Sequence, residues 1–132
     1  MKNFIDTWGF YKWSVDFNEE KDIHPDDLEK MKKLFPIQKI FHCIDCTDEY
    51  LILKYENKTF INETYRVKPL NYEQKNEPNF KLNEKVKTKN SEKYGEIREI
   101  AWHFQKNSYF YYLNIDGKSS SRRYFDFELE KV

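Results

Sequence analysis

The chain has 132 residues, of which 23 are basic and 23 acidic, so its formal net charge at pH 7 is zero. This length fits one ordinary domain or two very small ones. The mean hydropathy of −0.98 is typical of disordered chains, but such chains are poor in aromatic residues, whereas this one has 3 Trp, 10 Tyr and 11 Phe. We therefore expect a folded protein, with strands favoured because Ala101 is its only alanine.

Several classes of protein are excluded by composition. Glycine occurs only at positions 9, 95 and 117, too sparsely for a glycine-rich phosphate-binding loop. No apolar run approaches the roughly 20 residues that span a membrane, and the first residues lack the apolar region of a signal peptide. Two cysteines cannot form a disulfide framework, so we expect a cytoplasmic location and no membrane contact.

The first third of the chain predicts one strand and one helix. Residues 10–17 alternate between apolar and polar side chains, which is the period of a strand. A helix is predicted at about 25–34, because Pro25 suits a first turn and the acidic residues after it complement the positive helix end. Pro36 ends it. One face of this helix carries an apolar stripe formed by Leu28, Met31, Leu34 and Phe35.

The middle of the chain predicts three more strands and a linker. The strands fall within residues 37–46, 49–56 and 59–70. Residues 71–79 are polar and include a proline, so we interpret them as a linker. The predicted domains are a β-rich half at residues 1–70 and a second half at residues 80–132.

The C-terminal half predicts a compact β-structure. Its strand candidates are followed by a short helical turn and a closing strand, and they lie at residues 82–89, 96–104, 108–115 and 120–125. Asp116–Gly117 is a strong hairpin signal. Ile97 and Ile100 lie three residues apart, so both can face a core only if a bulge separates them. The fold class predicted for the whole chain is mainly β with one short helix, in the α+β class.

This order of elements resembles the small SH3-like or Tudor-like β-barrel over residues 80–132. The segments that carry the resemblance are GEIREIAWH at 95–103, IDGK at 115–118 and ELEKV at 128–132. The resemblance implies a binding module for peptides, methylated side chains or nucleic acid. The N-terminal half repeats part of the same pattern, and we expect a second, decorated β-meander or barrel there.

Cys43 and Cys46 form a CxxC pair, which can be half of a zinc site. The chain has no second pair, and the motif lies in an apolar alternating run without the helix start that a redox motif needs. We interpret both cysteines as small apolar residues at a strand end, with a metal or redox role as the alternative. We expect no metal and no cofactor.

No pattern of residues indicates catalysis. The chain lacks the GxSxG and HExxH motifs, and no cysteine stands at a predicted helix start. We therefore expect no catalytic residues and a protein that is not an enzyme.

An acidic segment provides the leading hypothesis for function. Residues 16–29 contain seven acidic residues and one lysine. Complementary charge raises the rate and specificity of protein association. We expect a small stoichiometric inhibitor or immunity-type protein whose partner is a toxin, a nuclease or a host enzyme. The expected contact residues are Asp16, Glu19, Glu20, Asp22, Asp26, Asp27 and Glu29.

Aromatic residues alternate across both faces of the predicted strand at 108–115. A small barrel buries one face of its sheet, so the second face either packs against the N-terminal half or forms a binding surface. In a Tudor-like reader, such rings form a cage for a cationic side chain. The aromatic candidates for partner binding are Trp102, Tyr109, Tyr111 and Tyr124.

A basic strip provides the alternative hypothesis. Residues 81–93 contain five lysines and two glutamates. An SH3-like nucleic-acid-binding module would combine such cations with aromatic stacking, although the neutral net charge disfavours a dedicated duplex binder. The candidates for nucleic-acid binding are Lys85, Lys87, Lys89, Arg122 and Arg123.

Overall fold

The structure, a computed structural model, describes residues 2–12, 19–36, 38–60 and 63–132. Over these residues the fold is mostly β, with two antiparallel sheets and one helix longer than a single turn, which confirms the predicted fold class. The chain forms two compact units. Unit 1 comprises Met1–Tyr55 and Ile61–Glu77, and unit 2 comprises Glu56–Phe60 and Pro78–Val132.

Unit 1 contains a five-stranded antiparallel sheet in the order β4-β3-β2-β1-β5. Its strands are β1 (Thr7–Tyr11), β2 (Phe41–Cys46), β3 (Leu51–Tyr55), β4 (Thr64–Val67) and β5 (Tyr72–Lys75). Within it, β2, β3 and β4 form a meander. The strand predicted at residues 10–17 begins earlier, at Thr7, and residues 13–17 lie outside the described part of the chain.

The predicted helix is present at Pro25–Leu34 (α2), preceded by a single turn at Glu19–Asp22 (α1). Its N-terminus is capped by His24, whose Nδ1 accepts a hydrogen bond from the backbone N–H of Asp26 at 3.0 Å. Met31 and Leu34 are buried as predicted. Phe35 is 55% exposed, because it adopts a left-handed conformation (φ 54°) that ends the helix and turns its side chain away from the stripe.

The core of unit 1 consists of rings and branched aliphatic residues, as the composition predicts. Two buried helix residues join the inward-facing residues of the sheet. Packing of this kind provides most of the stability of a short helix. The core residues are Tyr11, Ile23, Met31, Leu34, Phe41, Cys43, Leu51, Leu53, Tyr55, Tyr65, Val67 and Tyr72.

Unit 2 contains a second antiparallel sheet in the order β10-β8-β7-β6-β11, with β9 paired to β8. Its strands are β6 (Lys85–Thr88), β7 (Tyr94–His103), β8 (Ser108–Ile115), β9 (Lys118–Ser119), β10 (Tyr124–Phe125) and β11 (Leu129–Lys131). The predicted helical turn is a 3₁₀ helix at Asp126–Glu128. The register of β7 against β8 shifts between Ile97 and Glu99, so the predicted bulge is confirmed.

The predicted hairpin at Asp116–Gly117 is also confirmed. Both residues have positive φ, 52° and 75°, which a two-residue turn of the type I′ class requires. This turn joins β8 to β9.

The sheet of unit 2 does not close into a barrel. β10 and β11 lie at opposite edges of its strand order, and within the described residues they do not pair with each other. The SH3-like barrel expected at residues 80–132 is therefore not confirmed, although the order of the elements along the chain is as expected.

The predicted linker at residues 71–79 contains a strand. All four residues of β5 pair with β1, which places them inside the sheet of unit 1. The predicted division of the chain into residues 1–70 and 80–132 stays a prediction. Of the helices that the structure describes, none is long and apolar enough to cross a membrane.

Candidate functional site on the outer face of the C-terminal sheet

The four aromatic residues expected to bind a partner all lie in the interior. Trp102, Tyr109, Tyr111 and Tyr124 are 0–4% exposed. The hydroxyl of Tyr111 donates to Asp126 Oδ1 at 2.7 Å, and its ring meets the Phe80 ring edge to face. Buried rings cannot contact a partner while this fold is intact, so these four do not form the predicted aromatic surface or the Tudor-like cage.

The opposite side of the same sheet carries a second set of rings. Side chains alternate between the two faces of a strand, so the pairs Phe110–Phe125 and Phe110–Ala101 lie opposite the buried tyrosines. We call this side the outer face. Its residues are Lys85, Lys87, Tyr94, Glu96, Arg98, Glu99, Ala101, His103, Phe110, Tyr112, Asn114 and Phe125.

Four cations lie over four rings of the outer face and form a row across the sheet. A cation within about 6 Å of a ring centroid is attracted by the ring quadrupole, so the rings hold these cations at the surface. We call this arrangement the cation–ring row. From β6 towards β10, its pairs are Lys87 with Tyr94 (5.9 Å), Arg98 with Tyr112 (5.0 Å), Arg123 with Phe110 (4.9 Å) and Lys106 with Phe125 (4.3 Å). Phe110 is itself only 1% exposed, so at this position the exposed Arg123, and not the ring, is available to a ligand.

Two cations of the row have no acidic partner in the part of the chain that the structure describes. Lys106 and Arg123 have no carboxylate oxygen within 4 Å, and Arg123 donates only a long hydrogen bond, 3.4 Å, to the Tyr112 hydroxyl. The other two cations form weak pairs, Lys87 with Glu130 at 3.8 Å and Arg98 with its neighbour Glu99 at 3.9 Å.

The net charge of unit 2 also favours the binding of an anionic ligand. Unit 2 contains twelve basic and nine acidic residues, a net of +3, whereas the whole chain is neutral. An excess of one sign on a compact unit attracts ligands of the opposite sign. The outer face is therefore suited to an anionic ligand.

Exposed rings stand at both ends of the cation–ring row. Tyr94 is 60% exposed at the β6 end, and Phe127 is 70% exposed beyond the β10 end. Phe127 is nearly parallel to Phe125, with an angle of 8° and a centroid distance of 6.1 Å. Each of these rings presents a flat face on which a planar ligand group can stack.

Only part of the basic strip predicted from the sequence belongs to this row. Lys87 and Arg123 are members of it. Arg122 instead pairs with Glu128 at 3.1 Å and lies over Tyr124, while Lys89 is exposed after the end of β6. Sequence reasoning missed Arg98 and Lys106, although the bulge expected near residues 97–100 was a signal that Arg98 turns outward.

A cavity of about 530 Å³ opens near the β6 end of the row, between the starts of β6 and β7 and the β8–β9 turn. This volume lies within the range of about 300–1,000 Å³ that is typical of small-ligand sites. Its polar and aromatic lining includes Lys58, Lys85, Tyr94, Glu96, Asn114 and Asp116.

Comparison with known proteins provides one match. A model of the DUF6960 family, described as a family of unknown function, matches residues 1–130. The chain belongs to this family. No curated protein and no solved structure matches it. Because the match runs from residue 1 to residue 130, the DUF6960 domain includes both sheets.

Where it is described, the predicted acidic surface of this DUF6960 chain is only partly occupied by internal contacts: Asp22 and Asp27 are held, whereas the side chain of Glu29 is 76% exposed. Asp27 is buried against Arg66, Asp22 Oδ2 accepts a hydrogen bond from Asn71 Nδ2 at 2.9 Å, and Glu29 pairs with Lys32 at 3.7 Å. Asp26 is 78% exposed. The other three candidates, Asp16 and the side chains of Glu19 and Glu20, lie outside the described residues.

A smaller notch of about 300 Å³ lies beside the start of α2. The β2–β3 turn contributes the exposed carboxylates of Asp48 and Glu49 together with Tyr50, whose ring lies 5.2 Å from that of His24. Arg66 also lines this notch, and its guanidinium is already held by Asp27.

The CxxC cysteines of this DUF6960 chain occupy different environments. Cys43 is buried in the core of unit 1, and burial, the main cause, raises the pKa of its thiol to about 11. Cys46 is half-buried. Over the residues described, no three His, Cys, Asp or Glu side chains converge where they could hold a metal ion. The geometry supports the interpretation of Cys43 as an apolar core residue.

Proposed function

We propose that the protein acts by binding rather than by catalysis, and that the outer face binds single-stranded nucleic acid. The observation that supports this most directly is the cation–ring row, in which Lys106 and Arg123 lie over rings without an acidic partner in the described residues. Single-strand-binding surfaces combine cations that follow the phosphates with flat groups on which the bases stack. Both components are present on one face here.

The arrangement favours a single strand over a duplex. Bases can stack on aromatic rings and on guanidinium planes only when they are unpaired. The row crosses from β6 to β10 through two intervening strands, roughly 14 Å with strands about 4.8 Å apart. It also runs obliquely along the strands, because Tyr94 lies seven positions from Ala101, the β7 partner of Phe110, which adds roughly 20 Å. We infer a footprint of a few nucleotides.

The order of elements in unit 2 supports the further proposal that residues 80–132 form an SH3-like module. β6, β7 and β8 form a meander, and β11 returns to pair with β6 after a 3₁₀ helix. A cytoplasmic location, expected from the two free cysteines, is part of the same proposal.

Fluorescence anisotropy with a labelled single-stranded oligonucleotide of about 12 nucleotides tests the proposal. We expect binding that weakens as salt rises from 50 to 200 mM, because phosphate contacts release counterions. Each of Arg123→Ala and Lys106→Ala should weaken binding about fivefold and reduce the slope of log K against log salt by about 0.7.

Matched controls make this test specific. Arg122→Ala removes the neighbouring arginine, which pairs with Glu128, and Lys33→Ala removes an exposed lysine on α2 of unit 1 that is not part of the row. Both variants should bind like the wild type. Absence of binding at 50 mM salt, or equal affinity of Arg123→Ala and Arg122→Ala, would contradict the proposal.

A second candidate function is the stoichiometric inhibitor or immunity-type protein expected from the acidic segment. The exposed carboxylates of Asp26, Asp48 and Glu49 near the notch favour it, because they are suited to a cationic protein partner. Affinity capture from source-cell lysate should compare the wild type with an Asp26→Lys/Glu49→Lys variant.

Capture of one protein in a 1:1 ratio by the wild type, and its loss in the variant, would support this second function. Equal capture by both proteins would contradict binding through the notch. Recovery of nuclease-sensitive nucleic acid by both would support the outer face instead.

A further inference from the structure

We propose that the cavity of unit 2 seats one nucleotide of the bound strand, so that a base, and not only the phosphate backbone, is recognised. This inference rests on the function proposed for the outer face, because the cavity opens beside the Lys87–Tyr94 pair at one end of the cation–ring row. The lining provides a stacking surface, cations and hydrogen-bonding groups in one place, which are the three requirements of a nucleotide site.

Tyr94 provides the stacking surface. It lines the cavity and is 60% exposed, which is unusual for so large a ring on the central strand of a sheet. Lys87 lies 5.9 Å from the ring centroid, at the outer limit of a cation–π contact. The ring is therefore accessible to a base.

Lysines of the cavity provide the charge for a phosphate. Lys85 is exposed and has no carboxylate oxygen within 4 Å among the residues described. Lys58 contacts Glu96 only at 3.9 Å, with both side chains close to half exposed. A phosphate can compete with so weak a pair, because exposed ion pairs contribute little stability.

Asn114 and Asp116 provide hydrogen-bonding groups for the base edge. The side-chain oxygen of Asn114 accepts a hydrogen bond from the Ser119 hydroxyl at 3.1 Å, which orients the amide and leaves its NH₂ group as a donor. Asp116 lies in the β8–β9 turn, and its exposed carboxylate can accept hydrogen bonds from a base. Every nucleobase presents both donors and acceptors on its edge, so this pair can discriminate among bases.

Titration of the 132-residue chain with mononucleotides, followed by two-dimensional amide NMR, tests the inference. The probes are GMP, AMP, CMP and UMP, with uridine and inorganic phosphate as partial ligands. We expect the monophosphates to shift the signals of residues that line the cavity, with millimolar affinities that differ among the four bases. Uridine and phosphate should each bind more weakly than UMP.

Variants assign the binding to the cavity. Tyr94→Ala should weaken mononucleotide binding about tenfold, the value of one base–ring stack, and Lys85→Ala should weaken it for monophosphates but not for uridine. Lys89→Ala and Phe127→Ala, a lysine and an exposed ring outside the cavity, should change nothing. Unchanged affinity in Tyr94→Ala, or phosphate binding as tightly as UMP, would overturn the inference.

The outcome is distinguishable from that for the cation–ring row. If oligonucleotide binding depends on Arg123 while no mononucleotide shifts the NMR signals of the cavity residues, the proposed nucleotide site in the cavity is wrong. The function proposed for the cation–ring row is then kept. If mononucleotides bind at Tyr94 but oligonucleotides do not bind, the cavity is a nucleotide site and the function proposed for the row is wrong.

Discussion

Asp27 Oδ2 accepts two hydrogen bonds from Arg66, one from its backbone N–H at 2.9 Å and one from its Nε at 2.7 Å. The contact joins the first turn of α2 to β4 and leaves the Asp27 side chain 6% exposed. Lys30, one turn later on the helix, lies 3.4 Å from the other carboxylate oxygen. This carboxylate therefore fixes the helix on the sheet, in addition to the apolar contacts of Met31.

We expect Asp27→Ala to lower the free energy of unfolding by about 2 kcal/mol, because it leaves the Arg66 backbone N–H without its acceptor and removes a charged hydrogen bond. Urea unfolding followed by circular dichroism measures this. Glu29→Ala, which removes an exposed carboxylate from the same helix, should change little. Equal effects of the two substitutions would contradict the role assigned to Asp27.

Two carboxylates, the buried Asp27 and the half-buried Asp126, predict opposite dependences of stability on pH. Burial favours the neutral form of Asp27, but hydrogen bonds from Arg66 and the charge of Lys30 outweigh burial, so its pKa lies below the ordinary value. Burial raises the pKa of Asp126, with the hydrogen bonds from Tyr111 and Asn79 opposing it only in part.

Asp27 therefore contributes stability above the unfolded pKa of about 3.9, and this contribution is lost as pH falls through its lower folded pKa. Asp126 binds its proton more tightly in the folded state, so stability falls as pH rises from about 4 through its raised folded pKa. Urea unfolding between pH 2 and 7 should show a smaller loss of stability in acid for Asp27→Asn than for the wild type. Asp126→Asn should gain stability relative to the wild type as pH rises. If Asp27→Asn and Asp126→Asn showed the same dependence of stability on pH, the opposite pKa shifts assigned to these two carboxylates would be wrong.

Gly9 allows β1 and β5 to approach closely. A Cβ atom at this position would meet the backbone carbonyl oxygen of Glu73 and lie 2.9 Å from Tyr72 Cε1. We expect Gly9→Ala to destabilise the protein by about 2 kcal/mol through overpacking. At Gly117 a Cβ atom would meet open space, but the backbone φ is +75°, so we expect Gly117→Ala to lower the free energy of unfolding by about 1 kcal/mol. Thermal unfolding compares the two, and a Gly9→Ala variant as stable as the wild type would show that β5 does not pack as described.

The two cysteines should react with thiol reagents at different rates. Cys43 is fully buried with its pKa raised to about 11, whereas Cys46 is half-buried. At pH 7.5 we expect iodoacetamide to modify Cys46 in the folded protein and Cys43 only after denaturation. Mass spectrometry of peptides locates the label. Rapid modification of folded Cys43 would instead indicate an accessible, activated thiol and reopen the possibility of catalysis.

Local patterns in the sequence predicted several elements because short-range physics decides them. The helix at Pro25–Leu34 follows from a proline start, apolar spacing and a proline stop. The bulge after Ile97 follows from two apolar residues three apart in a strand. Phe35 was assigned to the apolar stripe wrongly, because spacing does not show where a left-handed residue ends the helix.

The sequence by itself determined that the chain folds, that strands dominate it and that both faces of residues 108–115 carry rings. Only the tertiary structure decided which of those rings are exposed. Tyr109 and Tyr111 are buried on one face. On the other face Phe110 is buried, and Tyr112 is partly exposed beneath Arg98. The reason is that side chains alternate between the two faces of a strand, and this alternation does not show which face is covered by the rest of the fold. Likewise, Lys106 and Arg123 are 17 positions apart in the chain, and only the pairing of β8 with β10 brings both onto one aromatic surface.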